Sequence, residues 1–317
     1  MSQQTILVFH WLPDGELARW TKELPDCAMI DARDAKVAAR EMARATIAYG
    51  LSDIKAIPDA KALRWIQLAS AGVPAALCPV AIKQNIRVTN LAGLYGPTIA
   101  EHAIALMLTL SRNLHVAQTN QRDKKWDRTV ADTMRDLHGK TVAIVGLGNI
   151  GQNIARLAKA LGMRVVGCRR TAKPTPFTDR VYDVAEMKSM LAEADYVAVA
   201  APLTNETTGM LGPAEFQAMK HGAFYINVSR GPVAQEEALV EALRSGRLAG
   251  AGLDVFAVEP LPLEHPLWTL PNVVISPHYS GETVNNSALP AQRFTRNLRN
   301  WLVGRELEGI VNLDLGY

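Results

Sequence analysis

Apolar runs at Ile6 to Phe9, Ala28 to Ile30, Thr46 to Tyr49, Trp65 to Ala69 and Val88 to Asn90 alternate with charged, alanine-rich stretches of helical character such as Ala32 to Ala45. This β-α-β-α rhythm predicts a first parallel α/β domain, since parallel strands need long helical crossovers. A second series reads as strands at Thr141 to Val145, Met163 to Cys168, Asp195 to Ala200, Ala223 to Val228, Ala251 to Val255 and Asn272 to Ser276. Helical segments at Val184 to Ala192, Pro213 to Met219 and Gln235 to Ser245 separate several of them, so a second, doubly wound domain is expected. Pro97 to Arg112 holds the apolar run IALMLTL, too short and too interrupted to cross a bilayer, and reads as a buried helix linking the domains. Residues 283 to 317 carry one further helix, Ala291 to Leu302, with no nucleotide signature, so they are expected to return to the first domain. The expected boundaries are 1–101, 102–282 and 283–317, with no internal repeat or low-complexity segment.

The stretch TVAIVGLGNIG, residues 141 to 151, organises the second domain. A buried β-branched strand ends in Gly146-Leu147-Gly148-Asn149-Ile150-Gly151, which is G-x-G-x-x-G. Ile150, Ile154, Leu157, Ala158 and Leu161 then recur at helical spacing, with Gln152, Arg156 and Lys159 between them. Strand, glycine turn, helix is the order a dinucleotide site requires. Gly146 permits the turn, Gly148 lets backbone approach a pyrophosphate, Gly151 lets helix and strand pack closely, and phosphates meet N–H groups at the helix head around Asn149 and Ile150.

Length and composition narrow the field. At 317 residues the chain exceeds one ordinary hydrophobic core, which agrees with two domains. A net charge of +3 on scattered basic residues gives no support to nucleic acid or a membrane as the main partner. Cys27, Cys78 and Cys168 are odd in number and far apart, so neither a disulfide framework nor a zinc site is expected. The N-terminus has no basic region before an apolar core, and a cytoplasmic protein is expected.

Three charged residues follow strand ends of the second domain: Arg230 in NVSRG, Glu259 in DVFAVEP and His278 in ISPHYSG. Each alone fits a surface loop. Together, on the edge that carries the glycine turn, they can supply a cation for an anionic substrate and an acid-base pair. In the first domain, Ser70-Ala71-Gly72-Val73 follows a strand and offers bare backbone N–H groups, either to an anion or simply to a strand-to-helix turn. Glu101 and His102 are placed in the first turn of their helix, as caps or as a substrate contact. Trp126 stands among Lys124, Lys125, Asp127 and Arg128, which suits a subunit interface or packing on its own domain. His115, His138, His221 and His265 lie in polar or turn-like stretches and His10 ends the first strand, with no H-E-x-x-H spacing and no G-x-S-x-G elbow, so no metal site or serine hydrolase is expected.

The order VGLGNIG, NVSRGPV, GLDVFAVEPLP, PHYSG resembles the D-isomer-specific 2-hydroxyacid dehydrogenase family, which includes glyoxylate and hydroxypyruvate reductases, over residues 60 to 285. The resemblance implies an α/β fold of two doubly wound parallel-sheet domains, with a Rossmann NAD(P)-binding domain inserted in a flavodoxin-like substrate domain. It implies Arg230, Glu259 and His278 as the catalytic set and Ser70, Ala71, Gly72 and Val73, with Arg230, as substrate contacts. It further implies that Asp254 and the Val228 backbone hold the nicotinamide, with Pro202, Ser229 and Gly281 also at the cofactor, and that the segment near Trp126 helps form a homodimer. Formate dehydrogenases of this superfamily are similar but carry Gln where Glu259 stands, so the hydroxyacid branch fits. One position departs from the pattern. Where relatives that use NAD usually carry Asp, this chain has Arg169 beside Arg170, and no Asp or Glu occurs between Gly151 and Asp179. NADP(H) is therefore the expected cofactor, with NAD(H) as the alternative. The expected activity is NADPH-dependent reduction of a small 2-keto acid to the D-2-hydroxy acid; a nucleotide-sensing, non-catalytic, corepressor-like binding protein is the rival on the same fold.

Overall fold

The computed structural model describes residues 4–316 apart from 52–54, 56, 58, 59 and 75. In chain order, the elements begin with β1 (Gln4–Val8), α1 (Glu16–Glu23), β2 (Cys27–Asp31), α2 (Ala35–Glu41), β3 (Ile47–Tyr49), β4 (Trp65–Gln67), α3 (Leu77–Gln84) and β5 (Arg87–Thr89). Next come α4 (Gly96–Ser111), α5 (Leu114–Arg122), β6 (Thr141–Val145), α6 (Asn149–Ala160), β7 (Arg164–Arg169), β8 (Arg180–Asp183), α7 (Met187–Leu191) and β9 (Tyr196–Val199). The chain ends with α8 (Pro213–Ala218), β10 (Ala223–Asn227), α9 (Glu236–Arg244), β11 (Leu248–Leu253), β12 (Val273–Ile275) and α10 (Leu289–Leu302). They form two compact units, Met1–Tyr95 with Glu282–Tyr317, and Gly96–Gly281. The first crossing falls six residues before the expected boundary, because α4 belongs wholly to the second unit. Its Leu106 and Leu110 lie over Gly252 and Gly250 of β11.

The first unit is a parallel sheet in the order β2-β1-β3-β4-β5. Successive side chains of a strand face opposite ways, and here both faces are buried. Leu7, Ala48, Ile66 and Val88 enter one core. Ile6, Val8, Ile47, Tyr49 and Trp65 enter another, together with Phe294 and Leu298 of α10. The Phe294 ring stacks on Tyr49 at 4.6 Å and on Trp65 at 5.4 Å between centroids, which ties the C-terminal helix to the first unit.

The second unit is a seven-stranded parallel sheet ordered β12-β11-β10-β9-β6-β7-β8. The chain runs from β6 outward through β7 to β8, then returns to the other side of β6 for β9 and continues outward to β12. The carboxyl end of β6 is thus the topological switch point, where open α/β sheets bind their ligands. All five residues of β6 are buried, as its unbroken apolar run requires.

Candidate active site

The glycine turn stands directly on that switch point. Gly146 has φ 97°, and a Cβ there would lie 2.6 Å from the Ala201 nitrogen. A Cβ on Gly151 would run into the Gly146 carbonyl, so only glycine lets α6 start this close to the strand. Gly148 is different: no protein atom lies within 4 Å of where its Cβ would be. Helix α6 opens at Asn149 and Ile150 with no side-chain cap, leaving its first N–H groups directed at that open space. An uncapped helix head beneath an open glycine fits a dinucleotide pyrophosphate. Of the other positions expected at the cofactor, Val228 and Ser229 are buried after β10, Pro202 is exposed after β9 with its carbonyl accepting from Thr207 Oγ1 at 2.6 Å, and Gly281 is half-buried at the end of the unit.

Arg230, Glu259 and His278 converge within this unit. His278 follows β12 in the left-handed region at φ 53°. Its Nδ1 meets Glu259 Oε2 at 2.6 Å, while Glu259 Oε1 accepts from the Phe256 N–H at 3.0 Å. With Nδ1 committed to the carboxylate, Nε2 is the nitrogen left for chemistry. Arg230 follows β10 and donates from Nη1 to its neighbour's carbonyl, Ser229 O, at 2.6 Å. Burial pushes the guanidinium's pKa down, and the Glu259 charge works against that shift. The rest of its fork has no protein acceptor among the described residues. A largely buried cation with spare donors beside a Glu-His pair can bind an oxyanion and move a proton next to it.

Asp254, expected at the nicotinamide, lies beside the His278 loop. Its carboxylate is fully buried and accepts from Ser276 Oγ at 2.6 Å, the Tyr279 N–H at 3.1 Å and the Ser280 N–H at 3.0 Å. In this structure it braces the loop that carries His278, with one lone pair of Oδ2 left for anything else. His102 joins this brace through Nε2 and Ser276 Oγ at 2.9 Å. Because Ser276 gives its proton to Asp254, His102 is the donor to Ser276, and burial holds its pKa below the usual histidine value against the opposing pull of Asp254. Both readings of Glu101 and His102 as first-turn residues are corrected: α4 begins at Gly96, a turn earlier, and Glu101 is exposed.

In the first unit, Ser70 to Val73 follows β4. Ser70 O accepts from the Leu91 N–H, Ala71 O from Asn90 Nδ2 at 2.8 Å and Gly72 O from Ser70 Oγ at 2.8 Å. The Ala71, Gly72 and Val73 N–H groups have no acceptor among the described residues, which suits an anion.

Arg169 ends β7, whose Cys168 pairs with Val145 at the foot of the glycine turn. Arg169 has no ion pair among the described residues, whereas Arg170 Nη2 meets Glu206 Oε2 at 3.0 Å. No carboxylate occurs in residues 152–178, and the one that meets Arg170 comes from the loop after β9, thirty-six positions away, which spacing near the motif did not reveal. Trp126 is 93% exposed, so packing on its own unit is excluded.

Comparison with known proteins agrees with this geometry. Residues 104–280 match the model of the D-isomer specific 2-hydroxyacid dehydrogenase NAD binding domain. A glyoxylate reductase of Thermococcus gammatolerans is 36% identical over 241 residues, 74% of this chain and 72% of the relative. A solved D-isomer specific 2-hydroxyacid dehydrogenase family protein of Aeromonas salmonicida is similar with TM-score 0.84 at 32% identity, covering 99% of this chain and all of that one. A probable 2-hydroxyacid dehydrogenase of Rhizobium etli, solved in complex with NADP, HEPES and L(+)-tartaric acid, is similar with TM-score 0.84 at 27% identity, covering 99% of each chain. With its two parallel α/β units and its glycine turn at the switch point, the chain belongs to the D-isomer specific 2-hydroxyacid dehydrogenase family and is an oxidoreductase with a nicotinamide dinucleotide-binding domain.

Proposed function

We propose that this enzyme reduces a small 2-keto acid, of the glyoxylate or hydroxypyruvate type, to the D-2-hydroxy acid with NADPH. The observation that carries the reading is the under-partnered guanidinium of Arg230 beside the 2.6 Å Glu259–His278 pair. A keto acid offers a carboxylate and a carbonyl oxygen, the two groups such a fork and such a pair can serve. The glyoxylate reductase named above supports the substrate class, and the NADP held by the Rhizobium etli protein supports the cofactor.

In this reading Gly96–Gly281 is the cofactor unit and the other unit holds substrate. The N–H groups at the head of α6 hold the pyrophosphate, Arg169 and Arg170 the 2'-phosphate, and the backbone from Val228 to Ser229, with Pro202 and Gly281, the nicotinamide end. When bound, the reduced cofactor supplies the hydride that adds to the carbonyl carbon. Arg230 draws charge toward the carbonyl oxygen and orients the carboxylate. His278 delivers the proton from Nε2 to the forming alkoxide, so the oxygen stays on the carbon as the product's hydroxyl. Glu259 fixes the imidazole through Nδ1, so that Nε2 faces the reacting oxygen. Free, buried thiols at Cys27, Cys78 and Cys168 fit a cytoplasmic setting. Helix α5 buries no residue and Trp126 is exposed, which supports a homodimer contact there.

The test is NADPH oxidation with a panel of 2-keto acids, alongside calorimetric NADPH binding. Turnover on glyoxylate or hydroxypyruvate is expected. Tight NADPH binding without turnover on any keto acid would replace this reading by a nucleotide-sensing binding protein.

A further inference from the structure

Resting on the reading of Glu259 and His278 as the proton-transfer pair, we propose that Glu236 of α9 is a positioning residue: with His265 it anchors the exposed segment that presents Glu259. The segment after β11 runs exposed from Ala257 to Pro260, so side-chain burial does not hold it. Its backbone is held by two glutamates on consecutive N–H groups. The Phe256 N–H donates to Glu259 Oε1 at 3.0 Å, and the Ala257 N–H donates to Glu236 Oε2 at 3.0 Å. Glu259 is thus fastened to one peptide, and Glu236 fastens the next one to the start of α9. Close packing limits the other side, since a Cβ on Gly231 would run into the Phe256 carbonyl carbon.

Glu236 is itself oriented by a second Glu-His pair. His265 Nε2 lies 3.2 Å from Glu236 Oε1, and His265 Nδ1 accepts from the Leu267 N–H at 3.3 Å. One carboxylate oxygen of Glu236 thus accepts from the Ala257 N–H, the other lies beside the His265 ring, and the side chain is only 15% exposed. Around the reacting pair, Glu259 meets His278 and feels the Arg230 charge, and the brace of Asp254, Ser276 and His102 holds the His278 loop. Glu236 touches none of the reacting groups. It acts through one peptide, and small displacements of a catalytic group cost large factors in rate.

The experiment compares wild type with Glu236→Ala, Glu236→Gln and Glu259→Gln, with Glu237→Gln as an exposed control, for kcat and KM on a keto acid that is turned over. The Nδ1 proton of His278 is followed in parallel by 15N-histidine NMR without cofactor. Glu236→Ala is expected to lower kcat about tenfold with little change in cofactor KM, and to weaken or broaden the carboxylate-bound Nδ1–H signal. Glu236→Gln keeps an amide oxygen for the Ala257 N–H and should stay within about threefold of wild type. Glu236→Ala within twofold of wild type with an unaltered signal overturns the inference; so does Glu236→Gln falling as far as Ala. If Glu236→Ala does not fold, Glu236→Gln with an altered His278 signal and a tenfold loss overturns it, and a retained signal with near-normal kcat supports it. Glu259→Gln separates the two ideas: if it leaves both readouts unchanged, the pair itself is misassigned, whereas a changed Glu259→Gln beside an unchanged Glu236→Ala removes this inference alone.

Discussion

His278 meets Glu259 through Nδ1 and Oε2 at 2.6 Å while its own backbone sits at φ 53°. A non-glycine residue in that region is uncommon and needs surroundings that hold it, and the Asp254 carboxylate supplies them through the N–H groups of the next two residues. The loop is shaped so that Nε2 is presented and Nδ1 is occupied. His278→Asn is therefore expected to retain NADPH binding and to lose turnover by about a hundredfold or more, since proton transfer contributes factors of that size. A kcat within a few-fold of wild type would show that the proton comes from elsewhere.

Glu259→Gln tests the partner. The carboxylate holds the ring through Nδ1 at 2.6 Å, and a neutral amide in its place holds it less firmly. Glu259→Gln is therefore expected to lower kcat for reduction about tenfold with little change in cofactor KM. A kcat within about twofold of wild type would place Glu259 outside the proton-transfer step.

A third expectation concerns stability. Burial lowers the pKa of both His102 and His10, with Asp254 opposing it for His102. An unfolded histidine takes its proton near about pH 6.5. Below that value the unfolded chain binds protons that the folded chain resists, so stability is complete above it and declines as pH falls toward the lowered folded values. Urea midpoints for wild type should drop between pH 7 and 5. His102→Gln, whose amide can still donate to Ser276, should drop less steeply, and equal slopes would show that His102 does not contribute.

Some of this was legible along the chain and some was not, for physical reasons. Strand β6 begins and ends where the apolar run does, because a strand buried on both faces leaves an unbroken signal. Strand β8 left none: it lies at the sheet edge, and of Arg180 to Asp183 only Tyr182 is buried. Strand β11 starts three residues before the expected Ala251, since Gly250 reads as a turn residue while in the fold it makes room for Leu110 of α4. Arg230, Glu259 and His278 could be singled out because each lies a few residues beyond a strand end in a distinctive motif. Their supports could not. Asp254 turning onto the His278 loop, Glu206 reaching Arg170 and Glu236 holding the Ala257 N–H are long-range contacts with no local pattern.

The segment around Trp126 predicts an assembly. Helix α5 and the turn at Thr129–Thr133 bury no residue, and Trp126 is 93% exposed on a segment with no core beneath it. An exposed indole of that size marks a contact surface. Sedimentation velocity should find wild type dimeric and Trp126→Ala shifted toward monomer. A wild type that sediments as a monomer at micromolar concentration removes the contact.

Cofactor choice is the sharpest expectation at the end of β7. Arg169 stands beside the glycine turn with no ion pair among the described residues, and Arg170 is matched to Glu206 in a pair whose partners are 45% and 73% exposed. A pair so exposed is weak, so a doubly charged 2'-phosphate can draw Arg170 from Glu206 at small cost. The phosphate also presents oxygens in the geometry a guanidinium fork meets, while NADH presents only a hydroxyl. The Glu206 carboxylate, which could otherwise accept from that hydroxyl, is engaged with Arg170. Hydrogen bonds to charged groups contribute about 1.5 to 3 kcal/mol, and each 1.4 kcal/mol is about tenfold in affinity, so a roughly ten- to hundredfold preference for NADPH is expected, shrinking as salt rises. Arg169→Asp should invert the preference, by repelling the phosphate and accepting from the hydroxyl. Glu206→Gln should increase it by a few-fold, because Arg170 is then released from Glu206 and the phosphate meets one like charge fewer. Steady-state kcat/KM with both cofactors on the three proteins decides the matter: a wild type that prefers NADH removes the role of both arginines, and a Glu206→Gln variant that moves toward NADH shows that Glu206 supports Arg170 instead of competing for it.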